Sequence, residues 1–404
     1  MRTTEDIKKL IEQEDVEFIR LQFTDIFGNL KNLAVTPSQL DKVLAGRYVV
    51  DGSVLFDNAV PFEQDIYLRP DLDTFVILPW RPQQGKVGKF LCDICYEDGH
   101  EFELSPRTIL KKVLKEAQEK GYSFLVKPEC EFFLFHIDDN GMPTTVTHEK
   151  AGYMDVGPAD FGENARRDMV LNLEEMGFEI ESSLHEKAPA QHEIAIKEAD
   201  PMRIADSIMT FKFAVRSIAK RFGLYATFMP KPKTEEAGSG LHFSISLDKK
   251  DFAEQDKLEK YFLGGIMAHS EAICAITNPL VNSYKRLMAN VKWIKKLARV
   301  HQFSQDEAQV ELRFPDPSAN PYLALAVCIL AGMEGVEKKS LPTNEVCLPQ
   351  NLKEAVEQMK KDDLMKQVLG ERFIQIFTDM KTEEWVDYLG QVSDWEVRKY
   401  LYRW

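Results

Sequence analysis

The residues best suited to chemistry are carboxylates set two apart inside an apolar run. Phe124 to Phe135 is almost wholly hydrophobic, yet Glu129 and Glu131 stand in its middle. On a β-strand, residues i and i+2 share a face, so both carboxylates would project into one space while Cys130 and Phe132 face the other way. Two like charges held together are costly to bury unless a cation neutralises them. Three further stretches offer partners of the same kind. Leu184 to Ile194 contains Glu186 and Glu193, and Gly238-Ser-Gly-Leu-His242 presents an imidazole after a flexible turn. Val310-Glu-Leu-Arg-Phe314 puts Glu311 and Arg313 on one strand face. Five glutamates and a histidine drawn from separate strands suit hard, oxygen-preferring divalent cations such as Mg²⁺ or Mn²⁺.

The elements that must hold these residues read as α+β. Thr4 to Glu14 has helical apolar spacing, and Val16 to Phe23 alternates like a strand. Asp25-Ile-Phe-Gly-Asn29 supplies a turn before a return strand from Leu30 to Val35. Short strands follow over 65–68, 74–78 and 89–96, so residues 1–104 form a small sheet domain. Ser105 then caps a helix with Pro106 in its first position, running to Lys120. The domain boundary is placed there, with residues 105–404 as the larger unit. Its helices are expected over 163–176, 201–222, 258–277 and 321–332, and its strands include 178–183, 224–228 and 241–247. Lys292, Lys295, Lys296 and Arg299 have the spacing of one basic helical face, which is cheapest to leave in water.

The 404 residues, 44% of them hydrophobic and 29% charged, suit a globular protein with a large core and two domains. A net charge of −14 argues against nucleic acid and anionic membranes as partners. No apolar run reaches membrane-spanning length, and no signal-peptide core follows Met1, so a cytoplasmic location is expected. The six cysteines are scattered, as in a reducing compartment. Cys92 and Cys95 have the spacing of half a zinc site, but no second pair follows, and two ordinary strand cysteines are expected.

Six motifs occur in order along the chain: Pro128-Glu-Cys-Glu-Phe-Phe-Leu-Phe, His185-Glu-Lys-Ala-Pro-Ala-Gln-His-Glu-Ile, Phe228-Met-Pro-Lys-Pro, Gly238-Ser-Gly-Leu-His, Asn278-Pro-Leu-Val-Asn-Ser-Tyr-Lys-Arg-Leu, and Val310-Glu-Leu-Arg with Asn320-Pro-Tyr-Leu-Ala-Leu. Together with Asp25-Ile-Phe-Gly and Asp51-Gly-Ser, they closely resemble bacterial-type (class I) glutamine synthetase. The resemblance implies a small N-terminal β-grasp-like domain and a larger catalytic domain on a curved antiparallel sheet with flanking helices. It implies an ATP-dependent carboxylate–amine ligase, in which ATP phosphorylates the γ-carboxylate of glutamate and ammonia displaces the phosphate. By correspondence, Glu131, Glu186 and Glu193 would hold one Mg²⁺ or Mn²⁺, and Glu129, His242 and Glu311 the other. Gly238 and Arg286 would bind glutamate, Arg286 gripping its α-carboxylate, and Arg313 would act on the glutamate or phosphate side. Asp51 would reach across a subunit interface to attract ammonium, within a homo-oligomer, most simply a dodecamer of two hexameric rings.

The chain also departs from that pattern. After Leu287 the family carries a Pro-Gly-Tyr-Glu-Ala-Pro flap, whose glutamate shields the intermediate and deprotonates ammonium, and then an Asn-Arg-Ser segment. Here Met288 to Gln309 is shorter and has neither. Gln309 stands at a family arginine, and Val54, Ala237 and Leu184 replace a serine, an asparagine and a histidine. Two functions compete: a ligase joining glutamate to ammonia or another amine, and a non-catalytic oligomeric binding or regulatory protein. With only Arg313 to balance a phosphate in flight, turnover is expected to be weak or absent.

Overall fold

In the computed structural model, residues 2–403 are described, except 57–63, 82–83, 255–256, 291–296, 304–307 and 344–346. Helix α1 (Thr4–Gln13) begins with a Thr3–Asp6 capping box and buries Ile7 and Ile11. Strands β1 (Val16–Thr24), β2 (Leu30–Val35), β3 (Tyr48–Asp51), β4 (Asp65–Ile77) and β5 (Lys86–Cys95) form a five-stranded sheet in the order β2-β1-β5-β4-β3, with short helix α2 (Leu40–Leu44) beside it. The two strands expected over 65–68 and 74–78 are one, interrupted by a register shift between Asp71 and Val76, just after Pro70, which has no N–H for the ladder. Cys92 and Cys95 are buried free thiols on β5.

The second sheet has seven strands: β6 (Tyr122–His136), β7 (Ile180–His185), β8 (Gln191–Ile196), β9 (Leu224–Thr227), β10 (Leu241–Lys249), β11 (Ala298–Gln302) and β12 (Ala308–Leu312). Its order is β11-β12-β10-β6-β8-β7, with β9 pairing the far end of β6. Every pairing in it is antiparallel. Helices α3 (Pro106–Glu119), α4 (Glu163–Glu175), α5 (Pro201–Ala219), α6 (Leu258–Thr277), α7 (Val281–Asn290) and α8 (Pro321–Lys338) flank it. Then come α9 (Leu352–Lys361), α10 (Asp363–Leu369), α11 (Glu371–Gly390) and α12 (Asp394–Tyr400). The back face of this sheet, including Cys130, Phe132, Ile194, Phe243, Val310 and Leu312, shares one core cluster with Ile19, Leu21 and Phe90 of the first. Burial of that face leaves the other for polar residues.

A buried guanidinium ties the first sheet to the helices that flank the second. Arg107, in the first turn of α3, is 4% exposed and bonds Asp93 on β5, Asp71 on β4 (2.6 Å) and Asp206 on α5 (2.9 and 3.0 Å). Tyr322 on α8 donates to the same Asp206 at 2.7 Å. Breaking such a group by removing one partner leaves charges buried and uncompensated, at a cost of about 3–5 kcal/mol. Arg107→Ala is therefore expected to lower unfolding stability in urea by that amount, and a loss below about 1 kcal/mol would show that the fold does not depend on this tie.

Candidate metal centre and active site

Register brings the acidic residues together. Glu129 lies opposite His242, and Glu131 opposite Glu193, so all four share the open face of the sheet. Ser244, two residues from His242, lies opposite Glu311, which places Glu311 on that same face. Glu186 follows the last residue of β7 at the mouth of the cluster.

Ligand atoms of Glu131, Glu186 and Glu193 fall within 4.8 Å of one another, as do those of Glu129, Glu193 and His242. His242 Nδ1 lies 3.4 Å from Glu129, and Nε2 lies 3.6 Å from Glu131. Burial and the neighbouring charges of Glu129, Glu131 and Glu186 push the Glu193 carboxyl up to about 8. Burial and Glu131 raise Glu186 as well, whereas the bond from His242 lowers Glu129. Gathered carboxylates with one imidazole, mutually repelling and poorly hydrated, fit a hard divalent cation.

The cluster is held from behind. Glu131 accepts from Gln191 Nε2 at 2.9 Å and from the Gly240 N–H at 2.8 Å. Gln191 also donates to the Gly238 carbonyl at 3.2 Å. Gly240 admits no side chain, since a Cβ there would lie 2.5 Å from His242 Nε2 and 2.6 Å from Arg286 Nη2. Gly238 is equally confined, its Cβ position being 2.3 Å from the Pro230 carbonyl oxygen. The backbone therefore passes close under the cluster of Glu131 and His242.

Glu311 keeps different company. Its Oε2 accepts from Arg299 Nε at 2.6 Å and faces His301 Nε2 at 2.9 Å, while Oε1 accepts from Arg313 at 3.2 Å. Burial raises its carboxyl, but the bond from Arg299 and the charges of Arg313 and Arg299 outweigh burial and hold it below its usual range. In the grouping with Glu129 and His242 the third residue is Glu193, with Glu311 standing beside them in its own ion pairs.

Arg299 corrects the helical reading of the basic run. It lies on strand β11, directly opposite Glu311, and not on a continuing helix. The signal was present in Ala298-Arg-Val-His-Gln302, where Ala298 is buried and Val300 packs against the core while Arg299 and His301 alternate onto the site face. Arg299 does stay half exposed, as expected of a solvated group, but its Nε is committed to Glu311 and not to water alone. Lys292, Lys295 and Lys296 lie outside the described residues. His301 and Gln191 are site-face residues that the sequence reading passed over, whereas Arg299 was singled out but placed on a helix.

The remaining candidates are dispersed. Arg286, on α7, is buried and donates from Nη1 to the Phe314 carbonyl and from Nη2 to the Arg313 carbonyl, both at 2.9 Å. Burial depresses its pKa, though Asp316 and Glu131 oppose the shift. Arg313 is 40% exposed on the Glu311 side of the cluster. Asp51 is exposed at the end of edge strand β3 of the other sheet, its Oδ1 accepting from the Ser53 N–H at 2.8 Å. His185 and His192 are buried at 1% and 0%. No described helix is long and apolar enough to cross a membrane.

Comparison with known proteins follows this geometry. Residues 15–97 match the family model of the glutamine synthetase β-grasp domain, and residues 103–400 that of the glutamine synthetase catalytic domain. Among similar proteins, glutamine synthetase of Clostridium saccharobutylicum is 47% identical over 437 aligned positions, covering 99% of this chain and 98% of the relative. Glutamine synthetase of Staphylococcus aureus strain Mu50 is 42% identical over the same coverage. Alignments of 437 positions against 404 residues mean that these relatives carry residues this chain lacks. Two solved structures of GmaS, one without ligand and one with ADP, superpose with TM-scores of 0.87 and 0.86 at 29% identity, covering 98% of this chain and 99% of theirs. The chain belongs to the glutamine synthetase family of ATP-dependent ligases.

Proposed function

We propose that this protein is a working ATP-dependent ligase that phosphorylates the side-chain carboxylate of glutamate and passes it to ammonia or another amine. The observation that carries this reading is the pair Arg299 and Arg313, which flank Glu311 on the same sheet face as the carboxylate cluster. Phosphoryl transfer asks the protein mainly for positioned positive charge, and the shortened segment still delivers a guanidinium to the site's edge. Glu129, Glu131, Glu186, Glu193 and His242 would hold Mg²⁺ or Mn²⁺, with Glu311 beside them. A divalent cation bound there would neutralise phosphate oxygens next to the accepting carboxylate. Gly240 and Gln191 keep Glu131 aimed, and Arg286 fixes the 313–314 backbone while its remaining N–H groups serve glutamate. The ADP-bound relative supports a nucleotide ligand.

The amine side is leaner. No Pro-Gly-Tyr-Glu-Ala-Pro flap follows Leu287 to shield an acyl phosphate from water. Asp51, exposed on the N-terminal sheet, would complete the ammonium site of a neighbouring subunit in a homo-oligomer, with a dodecamer as the proposed size. The division at residues 104 and 105 belongs to the same reading; the two family models end at 97 and start at 103. We expect glutamate-dependent phosphate release with Mn²⁺ and ATP, in excess over glutamine formed with ammonium, because water competes for the intermediate. A phosphate-to-glutamine ratio of one would refute the open-site argument. Absence of phosphate release from protein that still binds Mn²⁺ and ADP would favour the non-catalytic binding role. A stable monomer by light scattering at micromolar concentration would remove the assigned role of Asp51.

A further inference from the structure

Beside the metal cluster lies a second set of buried polar groups that supplies no ligand to it: Glu149, Asp160, His185 and His192, with Arg166. These residues have the right types for a metal, but the cationic places are already taken. Arg166 Nη1 sits 2.7 Å from Asp160 and 2.8 Å from His192 Nδ1, and His185 donates Nε2–H to Glu149 at 2.7 Å.

We propose that Glu149 is a positioning residue for the metal centre, locking the turn between β7 and β8 that carries Glu186 and leads into Gln191 and Glu193 on β8. Its Oε1 accepts from His185 at the start of that turn and, in a short bond, from the N–H of Ala190 at its end. Its Oε2 accepts from the N–H groups of Phe161 (2.8 Å) and Gly162 (3.3 Å), which anchor it to the entry of α4. His185 passes the constraint on by donating Nδ1–H to the Glu186 carbonyl at 2.6 Å. Ala190 needs such an anchor, because its φ of 69° is a conformation that residues with a Cβ seldom hold. The next residue, Gln191, is the one that aims Glu131. One carboxylate, 5% exposed, thus fixes both ends of a turn that holds one of the proposed ligands, Glu186, and leads into the strand of another, Glu193, and of Gln191, which orients a third.

The inference rests on the metal reading above and is tested by Mn²⁺ titration calorimetry together with hydrogen exchange. Glu149→Gln preserves volume but places an NH₂ against backbone donors. Removing support of this kind from metal ligands typically weakens binding by about ten- to a hundredfold. That weakening is expected here, while Val356→Ala, a core truncation in α9, leaves Mn²⁺ affinity unchanged at a similar loss of melting temperature. Glu149→Asp, which keeps the charge, should recover part of the affinity. In the wild type without metal, the amides of 186–191 should already exchange slowly. Equal Mn²⁺ affinity in Glu149→Gln and wild type would overturn the proposal, as would 186–191 amides that become protected only when Mn²⁺ is added. Should the variant not fold, the exchange result alone decides. A wild type that binds no Mn²⁺ yet shows the protected turn would instead count against the metal reading.

Discussion

Glu193→Gln is expected to make the metal-free protein more stable at pH 9 and to abolish tight Mn²⁺ binding. Both effects come from one cause. Without a cation, Glu193 shares its space with Glu129, Glu131 and Glu186, and its carboxyl titrates near 8 instead of in the usual range. A carboxyl whose folded pKa is raised contributes its stability below the unfolded value, and that contribution is lost as pH climbs through the folded value. The metal-free wild type should therefore lose stability between about pH 5 and 9, by at most on the order of 5 kcal/mol if the whole shift is expressed. Neutral glutamine removes that slope. Saturating Mn²⁺ should remove it from the wild type too, by holding Glu193 ionised at no repulsive cost. Differential scanning calorimetry across this range, with EDTA and with Mn²⁺, reads both. An identical slope in wild type and Glu193→Gln would mean that the carboxylates are not crowded as described.

The second large effect is assigned to Arg299. Arg299→Ala should reduce phosphate release by about a hundred- to a thousandfold, the usual loss when one well-placed donor to a developing charge is removed. Stability should hardly change, because the side chain is half exposed and pairs of that kind contribute about 0–1 kcal/mol. Arg299→Lys should rescue little, since a single ammonium does not reproduce the guanidinium fork. Retention of activity within about threefold would reduce Arg299 to a counter-ion for Glu311.

The elements were legible where periodicity was long and capped. The α3 start at Pro106, the alternation of β1 and the carboxylates of β6 all follow from local pattern. The Glu131, Glu186 and Glu193 grouping came from motif order, and its members do converge. What local pattern could not supply was register. Arg299 reaches Glu311 only because β11 pairs with β12, a partnership in space that no spacing within Met288 to Gln309 encodes. The helical count of the lysines overrode the two-residue alternation at 298–302, which is short and therefore weak. The hub at Glu149 was equally hidden, as its partners stand 12 to 41 residues away along the chain. Pairwise contacts set by the fold, and not residue types, decided these roles.

Strand β11 closes one edge of the seven-stranded sheet and is bonded on one side to β12. A chain can lose length just outside such a margin without reopening any interior ladder, and loops at these places tolerate insertion and deletion best. The stretch after Leu287 can therefore vary in length while the carboxylates of β6 and β8 stay where they are. The floor of the sheet and whatever covers it can in this sense change separately.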